Sequence, residues 1–123
     1  IYNFTSNEHM LDMILDSKIL QACFLKSNRC VYATTIESYH KNDVFIMSPE
    51  ALNKISKENR EIAKVVYLDI SRQIRHDRLE LRPNSNHTDI SDRMKVDDEY
   101  FSNFIDYDIR ITDPNFIISD LLC

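Results

Sequence analysis

Met10, Leu11, Ile14 and Leu15 recur at helical intervals behind Thr5-Ser6-Asn7-Glu8, in which Thr5 and Glu8 stand at capping-box spacing. The pattern predicts an opening helix with one buried face. Ile19 to Leu25 is a short apolar run, too short for a helix and read as a strand; Asn28 to Tyr32 is a turn leading into a second strand, Val31 to Ile36. Val44-Phe45-Ile46-Met47 reads as a compact buried strand. Ser48-Pro49-Glu50 follows as a helix start, with Ser48 as cap, proline at the tolerated first position, and Ala51, Leu52 and Ile55 as the apolar stripe.

Val65 to Ile70 is nearly continuously apolar, the signature of a strand inside a parallel sheet. An arginine-rich helix is expected over Ser71 to Arg82, a polar break over Pro83 to His87, and a long helix capped by Thr88 through Phe104. A strand at Tyr107 to Thr112 and a helix opened by Pro114 complete the pattern. Strands alternating with helices predict an α/β fold, with a β-rich region at 1–43 and a partial core at 44–123.

Composition narrows the chemistry. The 123 residues are 43% hydrophobic and 28% charged, which suits a folded core, and the net charge of -5 argues against non-specific nucleic-acid binding. Glycine is absent, where average usage of about 7% would supply about nine residues. Glycine-rich loops that cradle phosphates need positive φ and close backbone approach, so none is complete in this sequence. No apolar run reaches the roughly 18 residues of a membrane span, and Ile1 to Glu8 lack the basic start and apolar middle of a signal peptide. Cys23, Cys30 and Cys123 have no metal-ligand spacing and read as thiols of a reducing cytoplasm. His9, His40, His76 and His87 show no paired spacing, so no metal site is expected. A start at Ile1 rather than methionine suggests part of a longer protein.

Arginine stands out from the acidic background. Arg75, Arg78 and Arg82 share a helical face, and Arg93 lies in the first turns of the next helix, beyond the Pro83–His87 break. A helix-loop-helix of this form can fold arginines over one anion, because the planar guanidinium donates in pairs to phosphate and keeps its charge. The alternative is a solvated face with arginines paired to Asp77, Glu80 and Asp92, which charge patterning by itself favours.

The spacing Arg78-Leu79-x-x-Arg82, then Arg93-Met94 eleven residues on, then Tyr107-Asp108-Ile109-Arg110-Ile111-Thr112-Asp113, resembles the carboxy-terminal half of the guanylate kinase family. Ile1-Tyr2-Asn3-Phe4, Ile19-Leu20-Gln21 and Tyr32-Ala33-Thr34 resemble the family's Tyr-x-Phe, Phe-Leu-Glu and Tyr-Gly-Thr, so the likeness runs from Tyr2 to Asp113. It implies an incomplete P-loop kinase-like parallel sheet, a small β-rich region at 1–43 that binds a nucleoside monophosphate, and a helical lid at about 71–93. It implies phosphoryl transfer from ATP to GMP or a related nucleotide in the cytoplasm, with no nucleic-acid or membrane partner.

Residue by residue, the resemblance places Tyr2 and Tyr32 on the acceptor's phosphate and Gln21, Thr34 and Ser48 around its base. Arg82 and Arg93 fall on the transferring phosphoryl group, and Arg78 and Asp113 on the ATP side. ATP and Mg2+ are expected for the complete enzyme, with no motif here to bind them. Four positions depart from the family. Gln21 and Ser48 stand where it has acidic residues, and Ala33 and Ala51 where it has glycines. The glycine-rich loop with its lysine belongs before Tyr2, so the chain by itself is expected to be inactive. The alternative is a degenerate kinase-like module that binds nucleotides or a protein partner.

Overall fold

The computed structural model describes residues 3–25 and 29–121. It is a mixed α/β chain with two compact units, Ile1–Glu61 and Ile62–Cys123.

In the first unit, α1 (Asn7–Leu15) starts at Ser6, whose side chain accepts from His9 N, rather than at Thr5. Its end shows what a glycine-free chain must do. Ser17 takes φ 56°, Ser17 N donates to Ile14 O at 3.1 Å and Lys18 N to Met13 O at 2.9 Å. These are the paired bonds of a Schellman ending, with serine where glycine is usual. The expected buried face is not found: Met10 and Met13 are half-buried, and Leu11, Ile14 and Leu15 are exposed.

β1 (Ile19–Leu25) and β2 (Cys30–Thr35), the two strands expected from the apolar runs, pair as an antiparallel hairpin. Gln21 pairs with Thr34 and Cys23 with Tyr32, with a register irregularity between Ile19 and Gln21. Thr35 then caps α2 (Ile36–Lys41), accepting from Ser38 N at 3.0 Å. Sequence reading runs the strand into Ile36 and misses this helix, which has one cap and a Glu37–Lys41 pair but no apolar stripe.

Val44–Met47, expected as a buried strand, has no regular structure, and Ile46 is 98% exposed. No ladder partner claims it among the described residues, and apolar character alone cannot make a strand. Ser48 caps α3 (Pro49–Leu52) as expected, accepting from Ala51 N at 3.2 Å. Pro49, Ala51 and Leu52 are buried, and α3 packs on β1. That packing gathers residues 44–61 with the hairpin, where the sequence reading places them with the partial core. α4 (Lys57–Ile62) runs to the unit boundary.

In the second unit, β3 (Val66–Leu68) and β4 (Ile109–Ile111) pair in parallel. Parallel strands require a crossover. Here it is α5 (Arg72–Glu80) packed on α6 (His87–Phe101). Both strands are shorter than expected, since each has one ladder partner among the described residues. α6 is capped by Asn86, which accepts from Asp89 N, rather than by Thr88, and it ends at Phe101 rather than Phe104. The helix expected after Pro114 is a short 3-10 helix, Ile118–Leu121.

Among the described residues Ile70, Ile90 and Met94 are the buried apolar residues of this unit, Met94 only 1% exposed. In this unit Tyr67 stacks on Phe101, ring centres 5.3 Å apart, meets Phe104 edge-on and lies tilted against Tyr107. Among the described residues no helix is long and apolar enough to cross a membrane.

Candidate functional site

The hairpin brings two predicted base-binding residues together. Cross-strand partners put their side chains on one face, so Gln21, Cys23, Tyr32 and Thr34 share a surface, all half-buried. Gln21 Nε2 donates to Thr34 Oγ1 at 2.8 Å, and the Cys23 thiol reaches Gln21 Oε1 at 3.5 Å. Lys54, which sequence reading passes over, borders this face. Its ammonium donates to Ala22 O at 2.7 Å, lies 3.2 Å from Glu50 and 3.7 Å from Cys23 Sγ. Glu50 beside it holds the ammonium above its ordinary pKa. The Glu50–Lys54 spacing was the available signal. Tyr2 lies outside the described residues.

Ser48 spends its oxygen on the α3 cap and is half-buried. Ala33 and Ala51 replace glycine without backbone strain, because the positive-φ residues among those described are Ser17, Arg29 and Asn84.

The arginines of the second unit divide by partner. Arg72 Nε donates to Asp98 at 3.0 Å and Arg75 Nη2 reaches the same carboxylate at 3.4 Å, while Arg75 Nε donates to Ile70 O at 3.0 Å. The hydrogen bond from Arg72 leads in holding Asp98 below the ordinary aspartate pKa. Asp98 thus ties α5 to α6. Asp77 accepts instead from Gln73. Arg78 Nη2 donates to Pro114 O at 2.7 Å, and neighbouring Asp113 accepts from Asn115 N at 2.9 Å. The two predicted ATP-side positions therefore meet at one turn. Asp108 of the same motif accepts from Val65 N at 2.7 Å and fastens the start of β3 to β4.

Arg82 and Arg93 differ. Arg82 lies past the end of α5 in the turn, Arg93 on α6, and both are exposed. Among the described residues neither guanidinium has a hydrogen bond or ion pair. The loop joining their helices is fixed by its own bonds: Ser85 Oγ donates to Glu80 O at 3.2 Å and to Arg82 O at 2.9 Å, and Asn84 supplies the turn at φ 61°.

Two other clusters of this unit lie outside the predicted residues. A cleft of about 240 Å³ is bordered by Tyr67, Asp69, Arg75, Asp97, Asp98 and Phe101, with Arg75 already joined to Asp98. His76, Asp77 and Glu80 hold ligand atoms within 4.8 Å of one another, His76 Nδ1 at 3.8 Å and 3.9 Å from the two carboxylates. Both acids are exposed, as carboxylates on a solvated helix face commonly are. No protein-family model matches this chain, and no curated protein is similar to it at a significant level.

Proposed function

We propose that this chain carries the acceptor-binding region and lid of a guanylate kinase-like nucleoside monophosphate kinase with an incomplete P-loop kinase-like sheet. One observation carries the reading. Of the three arginines whose spacing resembles the family's lid, Arg78 is engaged by the fold, while among the described residues Arg82 and Arg93 have no protein partner; Arg72 and Arg75, outside that spacing, are held by Asp98 and Ile70 O. In this reading Gln21 and Thr34 hold the base, Tyr32 and Tyr2 donate phenol protons to the acceptor's phosphate, and Ser48 borders the base. Arg82 and Arg93 meet the charge that spreads over the phosphoryl oxygens during transfer. Arg78 and Asp113 lie on the donor side.

ATP with Mg2+ supplies the phosphoryl group in such a reaction. Among the described residues the cluster that could approach a cation, His76 with Asp77 and Glu80, includes an imidazole. Magnesium prefers oxygen ligands and near-octahedral geometry, so these residues do not fit it and no step is drawn through them.

A folded sample titrated calorimetrically with nucleoside monophosphates should bind at least one below millimolar concentration; binding of none overturns the acceptor assignment. In the full-length natural protein with Mg-ATP, Arg93→Ala should lower kcat by about 100-fold or more, as loss of one donor to developing charge does elsewhere. Near-normal turnover would count against its role.

A degenerate module that binds without transferring phosphate is the second reading. It is favoured by Ser48, whose oxygen is given to a helix cap where the family has an acidic side chain. Tight monophosphate binding with no turnover in the full-length protein would select it.

A further inference from the structure

Gln21 is fixed before any ligand arrives. Its Nε2 gives one hydrogen to Thr34 Oγ1 at 2.8 Å, and the two residues are register partners on a half-buried hairpin face. A primary amide has two N–H donors on one atom and lone pairs on the other. With one hydrogen committed to Thr34, the second has no partner among the described residues. Among the described residues Oε1 meets only the weakly donating Cys23 thiol, at 3.5 Å. The amide therefore offers a ligand one donor next to one acceptor. Reversing the amide, so that the Thr34 hydroxyl donates to it, leaves the same pair exposed in the opposite order.

We infer that Gln21 selects a nucleobase whose edge sets one N–H beside one acceptor over one that presents two neighbouring N–H donors. This rests on the monophosphate-binding reading and gives it a base. Adenine meets the condition with N6–H beside N1 or N7, cytosine with N4–H beside N3, and uracil or thymine with N3–H beside a carbonyl. Guanine fits worse. It can engage the amide through O6 and N1–H, but its N2 amine then finds no acceptor on Gln21. A carboxylate would instead accept N1–H and N2–H together.

The experiment is a calorimetric titration of the full chain with AMP, CMP, UMP, dTMP and GMP, repeated on Gln21→Glu. The expected result is that the best of the first four binds about 10-fold or more tighter than GMP, the discrimination typical of a well-made bidentate base contact. Gln21→Glu should then move GMP to the top of the ranking, since the carboxylate can accept from the Thr34 hydroxyl and still present a second oxygen. The arms also separate adenine from the pyrimidines. GMP binding tightest to the unaltered chain overturns the inference while leaving the monophosphate reading intact. So does an unchanged ranking in a Gln21→Glu variant that keeps the circular dichroism of the parent. Absence of binding by every nucleotide to the folded chain overturns the monophosphate reading itself. The ranking on the unaltered chain needs no variant to fold.

Discussion

Ser17→Gly should stabilise this protein. Ser17 occupies the left-handed region at φ 56°, just past the end of α1, and its amide and that of Lys18 close the helix onto Ile14 O and Met13 O. An L-residue with a Cβ carries roughly 1–2 kcal/mol of steric cost there. Glycine removes it but loses more backbone freedom on folding, about 0.5–1 kcal/mol. The difference leaves about 0.5–1 kcal/mol in favour of the variant. Side-chain losses do not enter, because the Ser17 hydroxyl makes no hydrogen bond among the described residues. In a domain of this size that gain raises Tm by about 4 °C. The assay is thermal and urea unfolding followed by circular dichroism, with Ser17→Ala as control. Alanine keeps the Cβ and should lie within about 0.5 kcal/mol of the parent. Glycine no more stable than alanine would refute the reasoning, since the left-handed cost would then be absent from the balance.

Three further outcomes follow from the packing and the charges. Met94→Ala should cost about 3 kcal/mol in urea unfolding, because a 1% exposed side chain leaves a cavity, whereas Ile105→Ala, 85% exposed, should change stability little; equal losses would contradict the placement of the core. Ser48→Ala should cost about 1 kcal/mol by removing the α3 cap, and Ser48→Asp should recover most of it. Asp98 is held below its ordinary value near 3.8, so it contributes stability above that value and loses it as pH falls through the lowered one. Urea midpoints of the parent and Asp98→Asn, measured from pH 6 downward, should converge in acid; a constant gap would mean that the arginine pairing does not stabilise the fold.

Elements that carry their own local instructions were legible in the sequence. The strands at Ile19–Leu25, Cys30–Thr35, Val66–Leu68 and Ile109–Ile111, the Ser48 cap with Pro49 behind it and the arginine helix follow from periodicity, caps and short apolar runs, whereas which strand pairs with which does not. The Val44–Met47 segment did not, because a strand depends on a partner and single-strand apolarity does not supply one. Helix starts moved by one or two residues where several capping side chains compete: Ser6 displaced Thr5, and Asn86 displaced Thr88. Within the candidate site, Gln21 and Thr34 were named from sequence, but their mutual hydrogen bond depends on register. Asp98 was missed for a related reason. It lies far along the chain from Arg72 and Arg75, and only the packing of α5 on α6 shows that it serves both.

The division among the arginines also bears on how a lid can be built without glycine. A flexible loop between two phosphate-binding side chains would have to be ordered when the anion arrives, at a cost in affinity. Here the turn after α5 is already tied down by Ser85 to Glu80 O and Arg82 O, and by the Asn86 cap of the next helix. What remains to be ordered is two exposed side chains, Arg82 and Arg93, not the backbone that bears them. Their attraction for an anion acts through water and is screened over about 8 Å at physiological salt. In the proposed kinase they would therefore contribute little to holding a ground-state nucleotide at a distance. Their effect would concentrate in a closed, desolvated arrangement around the transferring group, where a fixed guanidinium is worth most.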